Sequence, residues 1–146
     1  PDALQRARDL GAEVVLDAAG DVAARIQELG GAHVSVDALG RAQTAVTSVC
    51  SLRRRGRHVQ VGLLLGDAAT PPLPMDRVVA HELEIYGSHG MAAHEYPAML
   101  AAVASGRLDP SLLLGRVVRL EDLPDALCAM DGPGATGLTV ARLSQG

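Results

Sequence analysis

The first 63 residues alternate between helical and extended patterns of hydrophobic positions. Apolar positions at helical spacing, each stretch stopped by glycine, predict three helices, over residues 1–10, 22–29 and 43–55. Short apolar runs predict three strands between and after them, over residues 13–18 (EVVLDA), 33–39 (HVSVDAL) and 57–63 (RHVQVGL). Strands that alternate with helices pair in parallel through right-handed crossovers. The pattern therefore predicts an α/β fold with a parallel sheet.

The remainder of the chain begins with a proline-rich loop at residues 66–74, where Pro71 and Pro72 favour extended backbone. After it the pattern predicts, in order, a helical turn at 75–80, a strand at 82–87, a helix at 93–105, a strand at 116–120, a helix at 121–130 and a strand at 138–143. In a doubly wound sheet, ligands bind outside the carboxyl ends of the strands. Three such ends contain glycine, at 37–40, 61–63 and 87–90, and they predict a cofactor-binding rim.

Composition and charge restrict the classes of function. Phe and Trp are absent, so the core must be packed from Ala, Val and Leu. The net charge of −4 gives the chain as a whole no attraction to nucleic acid. The one basic cluster, Arg53–Arg55 with Arg57, is interpreted either as a phosphate site or as the C-terminal end of a helix. The favourable position of cations at a helix C-terminus favours the second interpretation.

The cysteines and histidines predict no metal site. Cys50 and Cys128 lie far apart in apolar helical patterns and are expected to be small buried residues. The pairs His81-Glu82 and His94-Glu95 begin like HExxH, but neither has the second His. No signal peptide or membrane-spanning run is recognisable, and the chain begins without Met. These features predict a cytoplasmic protein represented by a processed or truncated piece.

Six segments, in this order, resemble the medium-chain dehydrogenase family, whose best-known members are zinc-dependent alcohol dehydrogenases. They are RARDLGAEVVLDA, VDALG, LRRRGRHVQVGL, PPLPMDRVVAHELEIYGSHG, ASGRLDPSLL and LEDLPDALCAM. The resemblance implies a partial Rossmann-like, doubly wound parallel sheet that lacks its first two strands and is followed by a C-terminal α+β tail. Residues 1–90 would form the partial dinucleotide-binding domain. Residues 91–146 would form the tail.

The family's phosphate loop, GxGxxG between a strand and a helix, is not present in that context. Gly30-Gly31 and the GPGATG stretch at 132–137 both lack a preceding strand and a following helix. The resemblance also implies that the zinc ligands lie in a domain that this sequence does not contain. If two strands are missing, either a partner or disordered chain supplies them, or the strand at 13–18 pairs directly with the one at 33–39. For the chain folded alone, Val14 and Val34 are expected on adjacent strands.

The resemblance carries over a set of cofactor-binding residues, and it carries over neither a catalytic residue nor a metal ligand. Ala38, Leu39 and Arg41 would flank the adenine and its ribose. Val61, Gly62 and Leu63, with Ser88 and His89, would lie beside the nicotinamide and read its carboxamide through backbone groups. The alternative is that these are ordinary strand ends where glycine permits a turn. Asp37 is either a polar contact at the rim or a cap for the following helix, and capping is favoured.

The implied function is hydride transfer between NAD or NADP and a small alcohol or carbonyl substrate, with zinc supplied by the longer parent enzyme. The chain alone is expected to be inactive. Two alternatives remain open: a zinc-free quinone or enoyl reductase, and a non-catalytic α/β module for dimerisation or scaffolding. The strand at Glu82–Gly87 is expected to pair with its twin in a homodimer. Nucleic acid and membrane are excluded as partners.

Overall fold

A computed structural model describes residues 2–131 and 137–143 of the chain. They form two compact units, one of Leu16–Gly90 and the other of Pro1–Val15 with Met91–Gly146. The first 15 residues, which the sequence assigned to a domain spanning 1–90, thus group with the C-terminal segment. No helix among the described residues is long and apolar enough to cross a membrane.

The unit of residues 16–90 contains a three-stranded parallel sheet in the order β1-β2-β3. Its elements are α2 (Val22–Glu28), β1 (Ala32–Asp37), α3 (Ala42–Cys50), β2 (Leu52–Gln60), α4 (Met75–Ala80) and β3 (Glu84–Gly87), with α1 (Asp2–Asp9) preceding them in the chain. The Asp21 carboxylate caps α2 by accepting a hydrogen bond from Ala24 N. The predicted α/β class with parallel pairing is confirmed.

A small aliphatic core lies under the sheet, as the absence of Phe and Trp requires. Val49 of α3, Leu52 of β2 and Leu83 are its buried members. Partly buried Leu73 and Val78, with Ala32, pack around them. The core therefore joins α3 and α4 to the sheet, and it leaves the carboxyl edge of the sheet free to carry polar groups.

The arginine cluster does not end a helix, so the capping interpretation is wrong. Helix α3 stops at Cys50, because the Ser51 backbone N–H and hydroxyl both bond to the Thr47 carbonyl. The arginines lie in β2 instead, where the register jumps between Ala32↔Leu52 and Val34↔Arg57. This bulge carries Arg53 to Arg55, and Arg55 has a positive φ of 57°.

The predicted strand at residues 13–18 does not form, and Val14 is not adjacent to Val34 on a neighbouring strand. Among the described residues β1 pairs only with β2, so the segment has no ladder in which to place its backbone groups. It runs into a turn instead, in which the Asp17 carboxylate accepts from Ala19 N. Val14 is 55% exposed.

The other unit contains α1, α5 (Tyr96–Ala104), β4 (Leu114–Arg119), α6 (Leu123–Cys128) and β5 (Leu138–Arg142). Strands β4 and β5 form a separate parallel pair. Arg6 of α1 donates to the carbonyls of Leu112 and Leu114 at 2.8 and 3.3 Å, which ties the helix to the start of β4. Cys50 is half-buried and Cys128 is exposed, so the expected burial fails for Cys128, whose short helix is largely solvent-facing.

Candidate functional site

The carboxyl ends of all three strands in the first unit meet at one edge of the sheet. The backbone N–H groups of Val61 and Gly62 both donate to the Asp37 carbonyl, at 2.9 and 2.8 Å. Ser88 N donates to the Gln60 carbonyl at 2.9 Å. These bonds continue the pairing just past the strands, so the three glycine-containing segments form a continuous rim (residues 37–41, 60–64 and 87–89).

Two glycines let the first two segments of the rim approach each other closely. A Cβ on Gly62 would overlap Gly40 N and would lie 2.7 and 2.8 Å from the carbonyl carbons of Leu39 and Ala38. Gly40 has a φ of 78°, and a Cβ there would overlap the Leu63 carbonyl. Backbone lies on both sides of the contact, so neither position has room for a side chain.

Asp37 is the hydrogen-bonding centre of the rim, and it is only 4% exposed. One carboxylate oxygen accepts from Leu39 N and Gly40 N at 2.8 and 3.1 Å. The other accepts from the Thr44 hydroxyl and the Gln60 amide at 3.1 and 3.0 Å. Burial by itself raises the pKa of this carboxyl, but the hydrogen bonds outweigh burial and hold the pKa below its usual value.

The favoured interpretation of Asp37 as a helix cap needs correction. The residue at the N-cap position of α3 is Arg41, whose backbone N–H donates to the Thr44 hydroxyl at 3.3 Å. Asp37 lies four residues earlier and binds the loop between β1 and α3, reaching the helix only through the Thr44 hydroxyl. Its carboxylate therefore fixes the shape of the rim.

Behind the rim lies a polar chain that the sequence analysis missed. The buried His58 ring, 1% exposed, contacts the Ser48 hydroxyl at 2.9 Å through Nδ1 and Gln60 Oε1 at 3.2 Å through Nε2. The Gln60 amide nitrogen then reaches Asp37 and, at 2.8 Å, the Gly62 carbonyl. A signal was present in the sequence, because His58 and Gln60 are polar residues at alternate positions of a strand expected to be buried.

A cavity of about 340 Å³ opens at the ends of β2 and β3. Its lining residues are Gln60, Val61, Gly62, Leu63, Leu64, Gly87, Ser88 and His89. Five predicted cofactor residues are thus brought together: Val61, Gly62, Leu63, Ser88 and His89. Within residues 2–131 and 137–143, the backbone N–H groups of Leu63, Leu64 and His89 have no hydrogen-bond partner. They are donors available to a ligand.

The other three predicted residues, Ala38, Leu39 and Arg41, do not line this cavity. Ala38 and Leu39 lie against Gly62 on the neighbouring segment of the rim, and the Leu39 side chain is exposed. Arg41 is exposed at the start of α3. The structure therefore separates the five residues that line the cavity from a second group along the same edge.

The described residues do not fit a catalytic zinc site. No three His, Cys, Asp or Glu side chains among them lie close enough together to hold a metal ion. Catalytic zinc requires about three protein ligands, and we derive no step through zinc from these residues.

Comparisons with known proteins show which family this chain is similar to. Residues 1–105 match the family described as zinc-binding dehydrogenase. A probable alcohol dehydrogenase of Mycobacterium tuberculosis is 36% identical over 135 residues, which cover 90% of this chain and 37% of that protein. An alcohol dehydrogenase from a Thermus species has a TM-score of 0.82 at 26% identity, covering 97% of this chain and 42% of its own.

An NAD-dependent alcohol dehydrogenase has a TM-score of 0.84 at 24% identity, covering 98% of this chain and 41% of its own. This likeness shows the shared fold, and it confirms the Rossmann-like architecture expected from the sequence. The chain spans about two fifths of the length of the relatives it matches.

Proposed function

Because the chain belongs to the zinc-binding dehydrogenase family, we propose that it forms the nicotinamide side of the NAD site of an alcohol dehydrogenase. The family agrees with the resemblance to medium-chain dehydrogenases found in the sequence. The observation that carries the proposal is the cavity between β2 and β3, which is bordered by unbonded backbone N–H groups, among them those of Leu63 and His89. When bound, NAD would supply the hydride acceptor for oxidation of an alcohol, and NADH the hydride donor for reduction of a carbonyl.

The rim residues hold the cofactor and exclude water in this proposal. A carboxamide offers one carbonyl acceptor and two N–H donors, so it needs donors and acceptors from the protein. The N–H groups of Leu63 and His89 supply donors, and the Val61 carbonyl supplies an acceptor. The side chains of Val61, Leu63 and Leu64 form the apolar part of the cavity. Such a site is largely apolar with a few placed polar groups, as small-molecule sites generally are.

The remaining parts of the proposal concern the cofactor type, the substrate and the location. We assign NAD because a protein of the same fold is described as NAD-dependent. The proposed substrate is a small alcohol or its carbonyl product, since the matched relatives are named alcohol dehydrogenases. Zinc-type chemistry follows from the family, with the metal ligands outside the described residues. The cytoplasmic location and the inactivity of the chain alone stay predictions.

Titration with cofactor fragments tests the proposed site. We expect nicotinamide mononucleotide, added to the isotopically labelled full chain, to shift the NMR amide resonances of Leu63 and His89. The dissociation constant should be about 1 mM, which corresponds to a binding free energy of about −4 kcal/mol. ADP-ribose, which lacks the nicotinamide, is the matched ligand control and should shift residues 38–41 instead. No shift at Leu63 or His89 would exclude the nicotinamide site and favour a non-catalytic scaffolding module.

We also propose that β3 joins two copies of the chain in a homodimer. Among the described residues β3 pairs only with β2, and all four of its residues are exposed, which leaves an unpaired edge. Light scattering at micromolar concentration should give twice the monomer mass of 15.1 kDa. Ile85→Lys should reduce that mass to the monomer value, because a charge on an edge strand opposes pairing.

The control for the dimer is Val79→Lys, which places the same charge on exposed α4. It should leave the mass doubled. A monomeric mass for the unmodified chain would contradict the proposed dimer.

A further inference from the structure

We propose that Gln60, held in one orientation by His58, is a positioning residue for the nicotinamide side of the rim. The inference rests on the proposed cofactor site. Gln60 is the last residue of β2, and it lines the cavity together with residues 61–64, which follow it. Its side-chain amide contacts both neighbouring strand ends, because it donates to the Asp37 carboxylate at 3.0 Å and to the Gly62 carbonyl at 2.8 Å.

The partners of the Gln60 amide allow only one orientation. Both hydrogens of its nitrogen are used, one by a carboxylate oxygen and one by a carbonyl oxygen. A flipped amide would turn its own oxygen toward these two acceptors and lose both bonds. In the orientation that is present, Oε1 lies 3.2 Å from His58 Nε2. The ring nitrogen must therefore donate, and this bond holds the amide in place.

The orientation of His58 is fixed from the helix side. Since Nε2 carries the hydrogen, Nδ1 is an acceptor, and the Ser48 hydroxyl lies 2.9 Å from it. The Ser35 hydroxyl is more distant from the same nitrogen, at 3.4 Å. His58 is almost completely buried, so water does not compete for these bonds. The chain of bonds connects α3 through the sheet to the rim.

The consequence for the site is a fixed backbone at residues 61–63. The Val61 and Gly62 N–H groups are held by the Asp37 carbonyl, and the Gly62 carbonyl is held by Gln60. Leu63 is then the first residue of the segment whose N–H is unbonded. Without the Gln60 amide the Gly62 carbonyl loses its partner, and the peptide between Gly62 and Leu63 is held less firmly. A preorganised donor binds more tightly than one that must first be ordered.

The variant Gln60→Leu tests this role, and Gln27→Leu is its matched control. Gln27 also donates two hydrogen bonds through its side-chain nitrogen, to the carbonyls of Cys50 and Leu52 at 2.8 and 2.9 Å. Both variants lose two donated bonds from the same residue type, and Gln60→Leu loses in addition the bond that Oε1 accepts from His58. The Gln27 bonds lie at the amino end of β2. A purely structural role of Gln60 would make the two variants behave alike.

Two measurements on the full chain separate the variants. In Gln60→Leu, amide hydrogen exchange at Val61 and Gly62 should be about tenfold faster relative to the interior of β2, as expected for local opening. The dissociation constant of nicotinamide mononucleotide should rise about fivefold, since part of its binding energy now orders the rim. In Gln27→Leu, relative exchange at the rim and the dissociation constant should both stay unchanged.

The outcomes distinguish this inference from the proposed function. If the unmodified chain does not respond to nicotinamide mononucleotide, the proposed cofactor site is wrong. If the chain responds and Gln60→Leu exchanges and binds like Gln27→Leu, the role of Gln60 alone is wrong. Should Gln60→Leu not fold, Gln60→Glu replaces it, because Glu keeps the acceptor for His58 and loses both donors. Unchanged binding by Gln60→Glu would overturn the inference equally.

Discussion

Replacing Asp37 with alanine is expected to reduce the free energy of unfolding by about 3 kcal/mol or more, since it removes several hydrogen bonds to a buried charge. The carboxylate is the acceptor for two backbone N–H groups, the Thr44 hydroxyl and the Gln60 amide. Alanine leaves these donors buried without partners, and the loop between β1 and α3 then loses its fixed shape. Urea denaturation of the full chain followed by circular dichroism measures the effect. A loss below about 1 kcal/mol, the ordinary worth of one hydrogen bond, would contradict the central role of Asp37.

Asp37→Asn tests the contribution of the charge separately, because it preserves the size of the side chain. The hydrogen bonds lower the pKa of Asp37 in the folded chain below its unfolded value. A lowered folded pKa stabilises the fold at neutral pH, and this stabilisation is lost as the pH falls below about 4 and through the folded pKa. The stability difference between the wild type and Asp37→Asn should therefore shrink over that range. A stability difference that is independent of pH would show that the charge of Asp37 does not contribute to stability.

Gly62→Ala is expected to be the second most damaging change. The added methyl group would overlap Gly40 N and press on the carbonyl carbons of Ala38 and Leu39. These are backbone atoms, which cannot move aside as a flexible side chain would, so the cost should be at least about 2 kcal/mol. The same displacement moves Leu63, and nicotinamide mononucleotide should no longer shift its amide resonance. Thermal unfolding and the fragment titration measure the two effects.

Gly87→Ala is the control, because Gly87 lines the same cavity and a Cβ there would have no atom within 4 Å. We expect its stability to lie within about 0.5 kcal/mol of the wild type. If Gly62→Ala were as stable as Gly87→Ala, the close approach of the first two rim segments would be wrong. If both variants lost stability, the loss would reflect glycine in general at this edge of the sheet.

The sequence by itself determined most of the order of helices and strands, the parallel pairing and the resemblance to the family. Helix α4 is predicted over residues 75–80 and occupies Met75–Ala80. The glycine-containing ends of the first three paired strands also lie where the sequence places them. These features could be predicted because helical periodicity, strand periodicity and the special backbone freedom of glycine are local properties, encoded within a few neighbouring residues.

Only the tertiary structure decided which strands form and which rim groups are free. The apolar run at 13–18 has the pattern of a buried strand. A strand also needs a partner for its backbone hydrogen bonds, and no described strand pairs with this run. Likewise the orientation of Gln60 depends on Asp37, 23 residues away in sequence, and on a buried histidine ring. The sequence identifies the rim only by its glycines, whereas the structure shows which of its backbone N–H groups are unbonded. Contacts between distant residues, which no local pattern records, decided which N–H groups of the rim already have hydrogen-bond partners.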